Sequence, residues 1–213
     1  MRNSVNFSHK AIFYQTSEIS SKTKEIWFVL HGYGQLPKYF IRKFKEISSD
    51  SRVIIAPGGL SRFYLEGFSG RVGSTWMTKE ERLLDIDNYI EYLNAVAESV
   101  LKRAPKDIRI TLLGFSQGSA TVCRWAEKLT FSFEKLILHS GAFPNDIDFS
   151  GLGNILRDKH VFMLRGTEDE FINEDRKKEQ KSLIDKLNVE VKEKEFEGKH
   201  DIHIDSLKEI IEQ

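Results

Sequence analysis

The chain has 213 residues, 40% of them hydrophobic, which suffices to bury one sizeable core and is too little for two. Lys plus Arg and Asp plus Glu both total 32, so no overall field draws the chain to nucleic acid or anionic lipid, and small or neutral partners are expected. The opening stretch MRNSVNFSHKAIFYQTS lacks the apolar centre of a secretion signal and no segment nears the roughly 20 apolar residues of a membrane span, so a cytoplasmic chain without an integral membrane segment is expected.

In chain order, AIFYQ (11–15) and EIWFVL (25–30) read as strands that pair with each other. After His31-Gly32-Tyr33-Gly34, a helix starts near Pro37 and runs through PKYFIRKFKEIS. RVIIAP (52–57) is a buried strand ended by Pro57 and two glycines. Residues 58–77, GGLSRFYLEGFSGRVGSTWM, form an aromatic-rich loop. Thr78 and Glu81 have the spacing of a capping box, opening a long helix with Ile86, Ile90, Leu93, Ala97 and Val100 on one face. IRITLL (108–113), KLILHS (135–140) and HVFMLR (160–165) are apolar strands, VEVKEKEF (189–196) alternates as an edge strand should, and DSLKEIIEQ closes the chain as a helix. Cys123, the only cysteine, excludes disulfide frameworks and reads as a small buried hydrophobe in the helix after residue 116. Near-continuous apolar strands separated by helices predict an α/β fold: a mostly parallel twisted sheet of about seven strands with helices on both faces. No repeat or linker interrupts it, so residues 1–213 are expected to form one domain.

In such sheets, ligands bind beyond the carboxyl ends of the strands. One of those ends carries Gly114-Phe115-Ser116-Gln117-Gly118 between a strand and a helix. At average composition, a bare G-x-S-x-G arises in roughly 0.07 of chains this long; its placement makes it a nucleophile elbow rather than a glycine-rich turn. The turn is so sharp that flanking side chains would collide, and it presents the Ser116 hydroxyl at the sheet rim near the first amides of the helix. Gly67-Phe68-Ser69-Gly70 lacks this context and reads as loop.

A serine hydroxyl needs a base, and the base an orienting carboxylate. Behind such an elbow the acid comes next in the chain and the histidine last. Of six histidines, only His200 and His203 lie late enough; His200, in the loop EGKHDIH, is preferred, with His203 in or near a first helical turn. His139 reads as a packed strand-end histidine, His160 as a strand start, and His9 as part of the N-terminal segment. Asp169, one turn beyond HVFMLRG, is the acid, while Glu168 and Glu170 read as solvated neighbours. The His200/His203 spacing with Asp201 has no further ligand cluster behind it, so no metal is expected.

Taken together, WFVLHGYG, LLGFSQGS, HSGAFP, RGTEDEFI and EFEGKHDI resemble, in this order, the phospholipase/carboxylesterase family of α/β-hydrolases, which includes acyl-protein thioesterases and lysophospholipases. The resemblance spans residues 11 to 211, and GFSQG is its most specific element. It implies an α/β-hydrolase fold without a large cap domain, and Ser116, Asp169 and His200 as nucleophile, acid and base. It further implies an oxyanion hole from the backbone amides of Tyr33 and Gln117 and hydrolysis of carboxylic esters or acyl thioesters through an acyl-enzyme, without a cofactor. The chain departs from the family's usual pattern at Tyr33, at Gln35 and at Trp76-Met77-Thr78, all around the substrate cleft. The 58–77 segment is either an acyl-binding wall or small lid, with Trp76 touching substrate, or a satellite core. Rival readings are another serine acyl hydrolase, such as an aryl esterase or small peptidase, and a non-catalytic binding protein on the same scaffold. The expected partner is a small or lipid-like acyl ester or thioester, and the chain is expected to be a monomer or homodimer.

Overall fold

The computed structural model describes residues 1 and 3–213. Its main sheet has seven strands in the order β1-β3-β2-β6-β7-β8-β9. These are β1 (Phe13–Gln15), β2 (Glu25–Leu30), β3 (Arg52–Pro57), β6 (Arg109–Phe115), β7 (Lys135–His139), β8 (His160–Gly166) and β9 (Val191–Phe196). All pairings are parallel except that of β1 with β3. A separate antiparallel hairpin joins β4 (Ser61–Glu66) and β5 (Ser69–Thr75). The helices are α1 (Pro37–Phe40), α2 (Arg82–Leu101), α3 (Gln117–Ala126), α4 (Phe149–Leu156), α5 (Glu174–Leu187) and α6 (Ile204–Ile211).

The continuous apolar strands follow from burial on both faces, since successive side chains point to opposite sides. Along β2, Ile26, Phe28 and Leu30 enter one core with α2, α3, α4 and α5, while Trp27 and Val29 enter a second with α1 and α6. On α2, Ile86, Leu93, Ala97 and Val100 are buried as the periodicity predicts, with Ile90 partly so. Cys123 is fully buried, and burial pushes its thiol well above the ordinary range. β9, at one margin of the sheet, carries four consecutive charged residues at 192–195, an arrangement that discourages pairing with another chain.

Four local expectations are corrected. β1 pairs with β3, not β2, because β3 and β6 occupy both edges of β2. The helix at Pro37 tightens after one turn into a 3-10 segment, Ile41–Phe44, which sets Ile41 and Phe44 on one side against the second core. No capping box opens α2: Glu81 precedes it in a left-handed conformation with φ 49, and the Asp85 carboxylate accepts from the Thr78 N–H instead. The 58–77 segment is not a loop but the β4–β5 hairpin, with Gly67 and Phe68 at its turn.

Candidate active site

Strand order reverses between β2 and β6. β3 follows β2 in the chain yet lies on its far side, so the carboxyl ends of β2 and β6 open a crevice where such sheets bind ligands. Leu30 pairs with Gly114 there, which sets His31-Gly32-Tyr33 beside the elbow. A methyl group at Gly32 would lie 3.1 Å from Ser116 Cβ.

Ser116 has φ 54 and ψ −118, a combination few non-glycine residues hold, and forms the N-cap of α3. The strain persists because the surroundings over-determine it. Ser116 N–H donates to the His139 carbonyl at 3.0 Å, and the Ser119 hydroxyl donates to the Gly114 carbonyl at 2.7 Å. The flanking glycines are a steric requirement: a Cβ on Gly114 would strike the Gly118 carbonyl, and one on Gly118 the Leu30 carbonyl.

Asp169 and His200 meet across 31 residues of chain, with His200 Nδ1 2.7 Å from Asp169 Oδ2. The approach is built by the β8–β9 ladder, which runs to Gly166 opposite Phe196, and by loop bonds from Thr167 N–H to the Phe196 carbonyl and from Glu168 N–H to the Gly198 carbonyl, both 2.9 Å. Gly166 is bare because any Cβ would enter the Gly198 carbonyl. The other Asp169 oxygen accepts from the Phe171 N–H at 3.0 Å, so the buried carboxylate is oriented from two sides. The His200 ring is held between Phe115 and Phe171, with centroids 5.0 and 4.6 Å away. Glu168 and Glu170 are exposed.

Ser116, Gln117 and His200 line one cavity of about 460 Å³, walled on its apolar side by Ala120, Phe143, Pro144 and Ile172. No hydrogen bond joins Ser116 Oγ to His200 among the described residues; such contacts are often long without substrate and tighten in its complex. The Tyr33 and Gln117 amides donate to no group among the described residues. Gln117 stands at the first helical position, where the helix offers its N–H no acceptor.

His31, His139 and His203 are structural. His31 is buried, its Nε2 accepting from the Gly59 N–H at 2.9 Å and its Nδ1 2.7 Å from the Gly32 carbonyl, so the imidazole braces the loop that carries Tyr33. Burial lowers its pKa to about 4. His139, lowered to about 3 chiefly by burial, accepts from the His203 N–H at 2.9 Å. His203 caps α6, accepting from the Ser206 N–H, and stacks on Phe196. It is therefore turned to other work than His200, and among the described residues no group of three or more His, Cys, Asp or Glu gathers as a metal site.

Trp76 does not reach the cleft. It is 1% exposed, packs on His31 and donates from Nε1 to the His31 carbonyl at 2.8 Å, because the end of β5 turns it inward beneath the 31–34 loop. Phe63 packs on Tyr33, while Tyr64 and Phe68 are exposed on the hairpin. Sequence reasoning missed Gln35 as a brace: its Oε1 accepts from the Gly32 N–H at 2.9 Å, and its departure from the family pattern was the available signal. Phe171, against His200, had no such signal.

A sequence profile of the phospholipase/carboxylesterase family matches residues 14–213, nearly the whole chain. The chain belongs to the phospholipase/carboxylesterase family. Membership supports a hydrolase of ester type. No curated protein matches the chain at a significant level. Among solved structures, acyl-protein thioesterase 2 from Zea mays is similar at 15% identity and TM-score 0.72, covering 95% of this chain and 97% of that one. YahD with malic acid is similar at 15% identity and TM-score 0.68 over 95% and 99% of the two chains. A phospholipase/carboxylesterase from Dyadobacter fermentans is similar at 17% identity and TM-score 0.66, with 98% of each chain covered. At these identities the likeness establishes the α/β-hydrolase fold of this family member. Among the described residues no helix is long and apolar enough to cross a membrane.

Proposed function

We propose that the chain, as one domain over residues 1–213, is a serine hydrolase that cleaves a carboxylic ester or acyl thioester through an acyl-enzyme. The observation that carries this reading is the 2.7 Å bond between His200 and Asp169 on the cavity where the strained elbow presents Ser116. Asp169 accepts from His200 Nδ1, which leaves Nε2 unprotonated and able to take the Ser116 proton as the hydroxyl attacks the acyl carbonyl. The Tyr33 and Gln117 amides donate to the oxyanion, and His200 then protonates the departing alkoxide or thiolate. Water, deprotonated by the same imidazole, adds to the acyl-enzyme carbonyl and releases the acid together with Ser116. The reaction calls on no cofactor. Names of similar structures, a thioesterase and a phospholipase/carboxylesterase, agree with either leaving group.

Ser116→Ala is expected to lower kcat/KM for 4-nitrophenyl acetate by at least about a thousandfold, and to abolish labelling by a fluorophosphonate. A Ser116→Ala protein that keeps near-normal turnover removes Ser116 from its role. A folded wild-type sample that never reacts with the fluorophosphonate favours a binding protein on this scaffold instead.

A further inference from the structure

The chain is neutral overall, yet its charges are not spread evenly about the site. Arg82, Arg124, Arg165, Arg176 and Lys177 all line the cavity that holds Ser116 and His200, and no Asp or Glu does. They come from α2, α3, β8 and α5, so four separate elements bring positive charge to one space. Carboxylates behind the wall only partly balance them. Arg82 and Arg124 share a single carboxylate, Asp146. Arg165 pairs with Glu193, and Lys177 with Glu174 and Glu195. Arg176 has no carboxylate partner among the described residues; its guanidinium donates to the Phe171 carbonyl at 2.6 Å, on the residue whose ring packs against His200.

Five cations thus face four carboxylates, which leaves one net positive charge at the cavity; Arg82 and Arg124 have one ion-pair carboxylate between them, and Arg176 has none among the described residues. Arg124 is nearly buried and is pinned by Asp146 at 2.7 Å, so its cost of ordering is met before any ligand arrives. α3 carries Gln117, Ala120 and Arg124 along one lining face. Its rise of 1.5 Å per residue sets Arg124 about 12 Å along the helix from Ser116. A purely apolar acyl chain or alcohol leaves the remaining N–H donors of these guanidinium groups unused, whereas a carboxylate or phosphate takes charge-assisted, bidentate bonds from them.

We infer that the preferred substrate is an anionic ester, one bearing a carboxylate or phosphate that the Arg82/Arg124 pair and Arg176 receive while Ser116 attacks the acyl carbonyl. The inference rests on the serine hydrolase reading and narrows it to a substrate class. Apolar lining residues, Ala120 on α3 between Ser116 and Arg124 and Phe143 elsewhere on the cavity wall, suit the short carbon spacer linking ester and anion.

Two ester pairs test it, each read as the ratio of kcat/KM for the anionic member to that for the neutral one, after division by the rates of alkaline hydrolysis. Mono-4-nitrophenyl glutarate against 4-nitrophenyl valerate places the charge on the acyl part; 3-carboxyphenyl acetate against phenyl acetate places it on the leaving group. The ratio is expected to exceed one by tenfold or more in at least one pair, to fall in 0.5 M NaCl, and to fall roughly tenfold or more in Arg176→Gln. Arg176 is exposed, so its replacement leaves the core untouched, and Arg82→Gln is the second variant. Ratios at or below one in both pairs, or a ratio that neither variant lowers, overturn the inference. Failure of the hydrolase reading registers differently, as no turnover of any of the four esters. The anion site is then read by calorimetric titration with monomethyl glutarate against methyl valerate: tighter binding of the former, lost in Arg176→Gln, supports it, and equal binding overturns it.

Discussion

Ser116, Asp169 and His200 owe their geometry to bonds made by their neighbours more than to bonds of their own. Asp169 accepts from the Phe171 N–H and faces His200, so one carboxylate orients both a loop and a ring. Asp169→Asn keeps the shape but presents a donor where Nδ1–H needs an acceptor, which favours the wrong imidazole tautomer. kcat for 4-nitrophenyl acetate is expected to fall by about 10³–10⁴ with little change in thermal midpoint. Activity within tenfold of the parent would show that Asp169 does not orient the base. The sequence displayed these three residues because the chemistry proposed for them is tied to chain order and to glycines at fixed spacing. It marked Gln35 only as a departure from the family pattern and did not display Phe171, since the roles of both consist of where the fold sets them. Trp76 shows the opposite failure, an aromatic residue near the cleft in sequence whose side chain the end of β5 directs into the core.

Among elements, the β6–elbow–α3 unit is the one whose local sequence and tertiary surroundings agree most closely. Glycine is required at 114 and 118 by carbonyls of the chain itself, including Leu30 from the neighbouring strand. Gly118→Ala is expected to lower stability by about 1–3 kcal/mol, read from the denaturant midpoint, because backbone must move to admit the methyl; an unchanged midpoint would mean the elbow has slack. The β4–β5 hairpin was the least legible element. Its residues alternate only weakly, its strands are mostly exposed, and its glycines mimic a loop. The tight winding after α1 was hidden for a related reason, since apolar residues three and four apart satisfy a 3-10 turn and an α-helix alike.

For the whole molecule, two buried imidazoles make stability depend on pH. His31 and His139 are held neutral, with pKa values lowered to about 4 and about 3 from an ordinary 6.5. Between pH 6.5 and 4 the unfolded chain binds protons at these positions that the folded chain refuses, so stability is full above pH 6.5 and falls as pH drops. By pH 5, where most carboxylates are still ionised, the loss is expected to be on the order of 2 kcal/mol from each histidine. Denaturant midpoints at pH 7, 6 and 5 measure it. A flat profile over that range, or one unaltered by His31→Gln, would show that these imidazoles are not held neutral by the fold.

The amino-acid sequence by itself determined the α/β class, the apolar strands, the elbow and the family, because each is carried by periodicity or by residues close together in the chain. Tertiary structure alone decided which strand β1 joins, the inward turn of Trp76, and the meeting of Asp169 with His200 at 2.7 Å. It alone gathered four elements' cations around one cavity. Those outcomes depend on competition for strand edges and on packing between segments tens of residues apart, which no local pattern encodes.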